Sequence, residues 1–210
     1  MRKNKEVYRR YFKRFLDLFF ALLLLIILFP LLFVVALLLW IVTSSNPFFT
    51  QSRPGKNERI FRIIKFKTMN DRKDERGRLL PDKDRLTGIG RVIRKTSIDE
   101  LPQLINVVRG EMSFIGPRPL LIRYLPFYTE NEKKRHSVLP GITGLAQVTG
   151  RNLLSWDARL SADIKYVESI SPSLDFKILI KTIENVITSK DIAVDPNTVI
   201  KDLDEERKSA

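Results

Sequence analysis

The sequence predicts an α+β, mostly helical chain. It begins with a re-entrant apolar helix that enters and leaves a membrane on one face. A small cytoplasmic domain follows, with amphipathic helices suited to an interface. Three observations carry this. Residues 18–42 read "LFFALLLLIILFPLLFVVALLLWIV", a run without a charge and long enough to cross a bilayer. Basic segments flank that run on both sides. From about Ser44 the pattern is globular, with apolar residues at helical spacing and a short β-branched stretch.

Residues 1–43 form the first unit. The run is too long for a signal peptide, and "VTSSNPFF" offers no small-x-small cleavage pattern. A straight transmembrane helix is the commoner meaning of such a run, but two details count against it. Pro30 divides the run and removes the amide that would bond the Ile26 carbonyl, so a break is expected there. The flanks "MRKNKEVYRRYFKR" and "RPGKNERIFRIIKFK" are both basic, and positive segments stay cytoplasmic. A helix–break–helix dipping into one leaflet keeps both inside.

Residues 44–195 form the second unit. "IFRIIKFKTM" (60–69) follows the turn signal "RPGKNE" and fits a hairpin. "DRKDERGRLLPDKDR" reads as a charged loop. Leu101, Leu104, Ile105 and Val108 recur at helical spacing, and Gly110 closes that helix. "PGITGLAQVTGRN" (140–152) suggests tight loops or a short strand lining a pocket. "SWDARLSADIKYVESI" and "LDFKILIKTIENVITSK" read as helices. The second sets Phe176, Leu179, Ile180, Ile183 and Ile187 on one face, opposite Lys177 and Lys181. Core packing is the usual meaning of such a face; beside a membrane anchor, an interfacial position also fits. Residues 196–210 form a charged tail, whose last ten residues are expected to fray.

Composition narrows the chemistry. The chain has no Cys, which excludes disulfides, thiolate nucleophiles and thiolate metal sites. Its one His, His136, follows Lys133, Lys134 and Arg135; they disfavour imidazolium, and a surface bystander is expected. Acid–base or nucleophilic work then falls to carboxylates, hydroxyls or lysine. A formal charge of +13 implies an anionic partner: nucleic acid, an anionic membrane or phosphorylated substrates.

The stretch "SIDELPQLINVVRGEMSFIGPRP" (97–119) has two readings. Ser97 to Glu100 matches a capping box, with Ser97 as N-cap, Asp99 in the first turn and Glu100 bonding back to the cap amide. The same geometry suits chemistry. A helix N-terminus attracts phosphate and keeps a carboxylate ionised. An ionised Asp99 could attack phosphorus, and Glu100 is a hard-oxygen ligand for Mg²⁺. Arg94, Lys95 and Arg118 are candidates to pair with phosphates.

"KFKTM", then "SIDELPQLINVVRGEMSFIGPRPLL", then "PGITGLAQVTGRN", in this order after a basic apolar N-terminus, resemble the bacterial sugar transferase family, the monotopic phosphoglycosyl transferases. The resemblance covers residues 8–190 and is nearest to the small, single-domain members, such as the enzyme that starts N-glycosylation in Campylobacter. It implies transfer of a sugar-1-phosphate from a UDP-sugar to undecaprenyl phosphate with Mg²⁺, releasing UMP, at the cytoplasmic face of the bacterial inner membrane. Such a transfer would be the first membrane step of glycoconjugate synthesis. By motif, Asp99 resembles the nucleophile that forms an aspartyl phosphosugar, and Glu100 the metal ligand. Arg118, between Pro117 and Pro119, resembles the arginine of the Pro-Arg-Pro motif near the nucleotide. Lys65, Arg94, Arg151 and Asp163 match further substrate-binding positions, and Pro30 matches the proline that breaks the re-entrant helix. Phe29 departs from the family's usual Ser before that proline. The short architecture suggests UDP-diacetylbacillosamine as donor, with galactose, glucose and other N-acetylated sugars also open. Nucleic acid is not an expected partner.

Two other readings remain. One is a membrane-tethered protein that holds anionic lipid or nucleic acid on a basic face without turnover. The other keeps the substrates but has the lipid phosphate attack directly, with Asp99 as base.

Overall fold

The computed structural model describes residues 6–150, 154–188 and 202–208. The apolar run forms α1 (Lys13–Thr43), preceded by a π-helical turn at Tyr8–Phe12. By length and composition this helix could cross a membrane. Helical backbone continues through Pro30, so the expected break is not an interruption: a proline deletes one amide bond, and the remaining turns carry the helix past it. Phe29 stacks on Phe33 one turn later, on the outer face.

Only Asp17, Ala21, Val35 and Leu39 of α1 are buried, in two pairs one turn apart on either side of Pro30. Both pairs lean on the same domain. The first half packs Ala21, Leu24 and Leu25 against Phe61, Ile63, Leu104, Val107 and Met112. The second sets Leu32, Val35, Ala36 and Leu39 against Phe66, Ile89 and Ile93. The rest of the helix exposes Phe19, Ile26, Phe29, Phe33 and Trp40, a surface that hydrocarbon would match better than water.

A left-handed Ser44 ends α1 and turns the chain into β1 (Phe48–Pro54). This strand pairs antiparallel with β2 (Ile60–Phe66), the hairpin expected after the "RPGKNE" turn. Strand alternation puts Phe61, Ile63 and Lys65 on one face of β2. The first two enter the core, so Lys65 is aimed inward as well. Helix α2 (Gly88–Lys95) is capped by Thr87, whose hydroxyl accepts from the Gly90 amide at 3.0 Å. Gly90 is needed for a close approach, because a Cβ there would lie 2.0 Å from the Thr68 carbonyl oxygen.

The capping box expected at Ser97–Glu100 does not form. Ser97 is left-handed (φ 57°) and makes no side-chain cap; Ile98–Glu100 is a single 3₁₀ turn. The helix proper, α3 (Gln103–Arg109), starts after Pro102 and closes on Gly110 at φ 80°. A cationic partner for Glu100 outweighs a neutral cap amide, which is why its side chain points elsewhere. Asn106 of α3 is fully buried. It accepts from the Ile64 amide and donates to the Arg62 carbonyl, locking α3 to β2.

Strand β3 (Ser113–Ile115) pairs parallel with β4 (Gly141–Thr143), the short strand suggested by the glycine-rich stretch. Two helices follow, α4 (Trp156–Ser169) and α5 (Pro172–Thr188). The apolar face of α5 is not core. Phe176 is 63% and Ile187 77% exposed, with Leu179, Ile180 and Ile183 also outside, and Ile178 and Asp175 are the buried positions. The tail also differs from expectation. Residues Leu203–Lys208 form a docked helix, α6, with Leu203 fully buried among Leu120, Tyr124, Tyr128, Trp156 and Leu160. Arg207 ties it to Glu132 at 2.6 Å.

Candidate active site

Three elements converge on the carboxylate pair. The 3₁₀ turn presents Asp99 and Glu100, β2 presents Lys65, and the loop after β3 presents Arg118. Lys65 Nζ and Arg118 Nη2 both donate to Glu100 Oε1, at 2.6 and 2.7 Å. Burial alone would raise the Glu100 carboxyl, but the two cations outweigh it and hold it down to about 2. Asp99 has no hydrogen-bond or ion-pair partner among the described residues. Burial, then the Glu100 charge, pushes its carboxyl up to about 6, against the pull of Lys65, Arg94 and Arg118. This corrects the expectation that a helix N-terminus keeps Asp99 readily ionised: a single 3₁₀ turn has little dipole, and desolvation dominates.

The two carboxylates therefore differ in availability. Glu100 is an anchored anion, while Asp99 is a weakly solvated carboxylate with a free edge. Arg94 donates through Nε to Thr68 Oγ1 at 2.8 Å and acts on Asp99 as a charge, not as a direct partner. Lys95 is exposed on α2. Among the described residues no group of three His, Asp or Glu side chains is arranged to hold a metal ion. A pair of adjacent carboxylates still suits Mg²⁺, which takes one or two protein carboxylates and draws its other oxygens from phosphates and water.

Pro117 and Pro119 are buried on either side of Arg118 and restrict its backbone. The Gly141 amide donates to the Pro117 carbonyl at 3.0 Å, and Arg135 Nη2 donates to the Arg118 carbonyl at 2.6 Å. Arg135 is in turn paired with Asp163 at 2.8 Å, both side chains nearly fully buried. Asp163 is thus not brought to the carboxylate pair. It neutralises the arginine that holds the Arg118 backbone. Arg151 lies outside the described residues.

Sequence reasoning missed Arg135 and misread His136, which is 6% exposed and not a surface bystander. Burial and the adjacent Arg135 charge hold its imidazole down to about 4, so it is neutral, as the basic neighbourhood suggested. The "KKRH" run gave no sign of which members turn inward. That is decided by α4, which supplies Asp163, 28 residues after Arg135, as a buried partner.

The position of Asp163 makes a prediction. Asp163→Asn leaves Arg135 charged and buried without a counter-ion, which costs about 3–5 kcal/mol. The thermal midpoint should fall sharply in denaturation of the detergent-solubilised protein. A group that only touched substrate would instead raise KM in a protein of unchanged stability.

Comparison with known proteins places the chain in a family. A family model described as bacterial sugar transferase matches residues 8–189. The chain is 48% identical over 180 residues to the uncharacterized sugar transferase EpsL of Bacillus subtilis, covering 86% of this chain and 89% of that protein. It is 37% identical to a UDP-glucose:undecaprenyl-phosphate glucose-1-phosphate transferase of Caulobacter vibrioides, over 84% of this chain and 70% of the relative. It is 38% identical to the galactosyl transferase CpsE of Streptococcus agalactiae over 83% of this chain, but spans only 42% of that longer protein. The stretch from the apolar helix through the carboxylate pair and the Pro-Arg-Pro turn to α5 lies within the matched region, and the chain belongs to the bacterial sugar transferase family.

Proposed function

We propose that this chain transfers a sugar-1-phosphate from a UDP-sugar to undecaprenyl phosphate at the cytoplasmic face of a bacterial membrane, as the first membrane step of a glycoconjugate pathway. The observation that carries the reading is the unequal carboxylate pair. Asp99 has no partner among the described residues and is poorly solvated, beside a Glu100 tied to two cations. The names of the Caulobacter and other relatives support the substrate classes. Those names specify glucose, galactose and N-acetylgalactosamine donors, and none points to diacetylbacillosamine; the donor class they support is a UDP-sugar.

In the first step an Asp99 oxygen attacks the phosphorus that carries the sugar. The bond from that phosphorus to the bridging oxygen breaks, and UMP leaves with the electron pair. In the second step an oxygen of undecaprenyl phosphate attacks the same phosphorus and displaces Asp99. Covalent catalysis here separates two anionic substrates in time. Arg118, Lys65 and Arg94 place positive charge where charge develops on the leaving phosphate. Glu100, with the diphosphate, would hold Mg²⁺, which when bound neutralises phosphate charge. A carboxyl raised to about 6 is also suited to act as a base, so direct attack by the lipid phosphate is the competing mechanism.

The re-entrant topology belongs to the same proposal. Its support is that both halves of α1 pack on one domain while their outer face is apolar. The exposed apolar face of α5 is assigned to the membrane interface, beside the anchor.

The mechanism is tested by intact-protein mass spectrometry. UDP-sugar alone should give a sugar-phosphate adduct on Asp99 and one UMP per enzyme, and adding undecaprenyl phosphate should remove the adduct. Turnover in rapid-quench samples without an adduct would favour direct attack. Asp99→Asn should be inactive and still bind UDP-sugar.

The pH dependence follows from the same carboxyl. The ionised form reacts, so kcat/KM should fall as pH drops through about 6. Stability has the opposite sign. The folded state keeps a proton that the unfolded chain releases from about pH 4 upward, so the contribution is present at low pH and lost as pH rises through about 6. Asp99→Asn should therefore have a higher thermal midpoint than the wild type at neutral pH.

Topology is tested by single cysteines at Lys5 and Lys56 of this cysteine-free chain. Both should react only from the cytoplasmic side of sealed vesicles. Labelling from opposite sides would sink the re-entrant arrangement.

A further inference from the structure

The last described segment, residues 202–208, reads "DLDEERK" and lies beyond the stretch that matches the family. Its helix, α6, has only six residues, too few to hold itself in water, so its contacts must hold it. One apolar side chain and charges at both ends supply them. Leu203 is fully buried among Leu120, Tyr124, Tyr128, Trp156 and Leu160. At the start of α6 the Asp202 carboxylate accepts from the Tyr124 hydroxyl and from Arg123, and Asp204 lies 3.5 Å from the same guanidinium. At its end Arg207 donates to both Glu132 oxygens, at 2.7 and 2.6 Å, to Asp157 at 3.2 Å and to the Phe127 carbonyl.

These contacts join two segments that are distant in sequence and close to the site. The first runs from Leu120 to Tyr128 and follows Pro119 directly. Gly141 and Arg135 hold the Pro117 and Arg118 carbonyls, and α6 holds what comes next. The second is the start of α4. Tyr124 meets Trp156 edge-on at 5.3 Å, and the Trp156 ring carries the Arg159 guanidinium on its face, 4.5 Å from the centroid.

Arg159 lies within electrostatic reach of Arg118: burial first, and then the Arg118 charge, hold its guanidinium below the usual range. Like charges repel, so two cations stay near each other only where their supports keep them. For Arg118 that support includes the chain that leads on to Leu120. For Arg159 it is the Trp156 ring. Leu203 touches both supports, and its removal loosens both at once. Asp202 and Asp204 are engaged by Arg123, so the acidic start of α6 serves its docking.

We propose that α6 is a strap for the active site, and that Leu203 and Arg207 are positioning residues that act through Leu120 and Trp156 on Arg118 and Arg159. The inference rests on the reading that the chain transfers a sugar-1-phosphate. It adds to that reading a part played by the C-terminal segment, which lies outside the catalytic motifs.

The test uses the full chain, with UMP release from a UDP-sugar and undecaprenyl phosphate followed well below the thermal midpoints. Leu203→Ser removes the apolar anchor of α6 and should lower kcat about tenfold. Arg207→Gln removes the tie at the other end and should lower kcat severalfold. KM for the UDP-sugar should hold in both, because charge on the leaving phosphate develops only in the transition state. Leu203→Met keeps the volume and should keep wild-type kcat. A peptide of residues 196–210, added in trans to Leu203→Ser, should restore kcat in a saturable way, and the same peptide carrying Leu203→Ser should not. Amide exchange without substrate gives a second readout: residues 120–128 and 156–163 should exchange about tenfold faster in Leu203→Ser, with β1 and β2 unchanged. A lower midpoint with unchanged kcat would reduce α6 to a stabiliser of the fold. Faster turnover would make it a competitor of the anionic substrates. Either result, or unchanged exchange at 120–128, overturns the proposal. A wild type that releases no UMP counts against the transfer reaction instead, and exchange at 120–128 then decides the strap.

Discussion

One carboxylate oxygen organises the site. Glu100 Oε1 accepts from both Lys65 and Arg118, and so joins the hairpin, the 3₁₀ turn and the Pro-Arg-Pro loop at a point. Two cations on one anion leave an excess of positive charge, to which Arg94 adds. That excess attracts a diphosphate and lowers the cost of bringing a second anion near Asp99. Had Glu100 capped a helix instead, Lys65 and Arg118 would face each other without a counter-ion. The local preference yields to the tertiary one because two charge-assisted bonds outweigh one neutral amide bond.

The supports of that junction run back to the anchor. Asn106 fastens α3 to β2, so the turn that carries Asp99 and the strand that carries Lys65 move together. Arg14 of α1 donates to the Val107 and Val108 carbonyls at 2.6 and 3.1 Å, adding to the Gly110 amide that already bonds Val107 at the end of α3. Asp17 accepts from the Phe114 amide at the start of β3. Side chains at the base of the apolar helix thus hold both elements that lead into the site. On the other side, the buried Arg135–Asp163 pair holds the Arg118 carbonyl, and Leu203 of the tail closes the cluster that includes Leu120. The carboxylate pair is braced from the apolar helix and from the interior.

The cost of this arrangement is concentrated where it is useful. Among the described residues Asp99 has no partner beside an ionised Glu100, and buried polar atoms of His136 and Tyr128 have none either. For Asp99 the local loss of stability lies where a substrate can restore it, the pattern expected when a site is built for a ligand.

The sequence alone determined the features set by local chemistry. An uncharged run between basic flanks implies a membrane-seeking helix; Gly110 stops a helix; the "RPGKNE" turn makes a hairpin; a cysteine-free, basic chain with an adjacent Asp-Glu pair points to phosphate chemistry. These depend on backbone preference and solvation within a few residues. Tertiary structure decided what depends on partners far along the chain. It turned Glu100 from cap to anchor, placed Asp163 behind the site, buried His136, exposed the apolar face of α5 and docked the tail. Periodicity cannot distinguish a face that meets core from one that meets lipid, since both are apolar. A charge in a basic run does not reveal whether a carboxylate from a distant helix will reach it, because an ion pair is a property of two segments and only the fold brings them together.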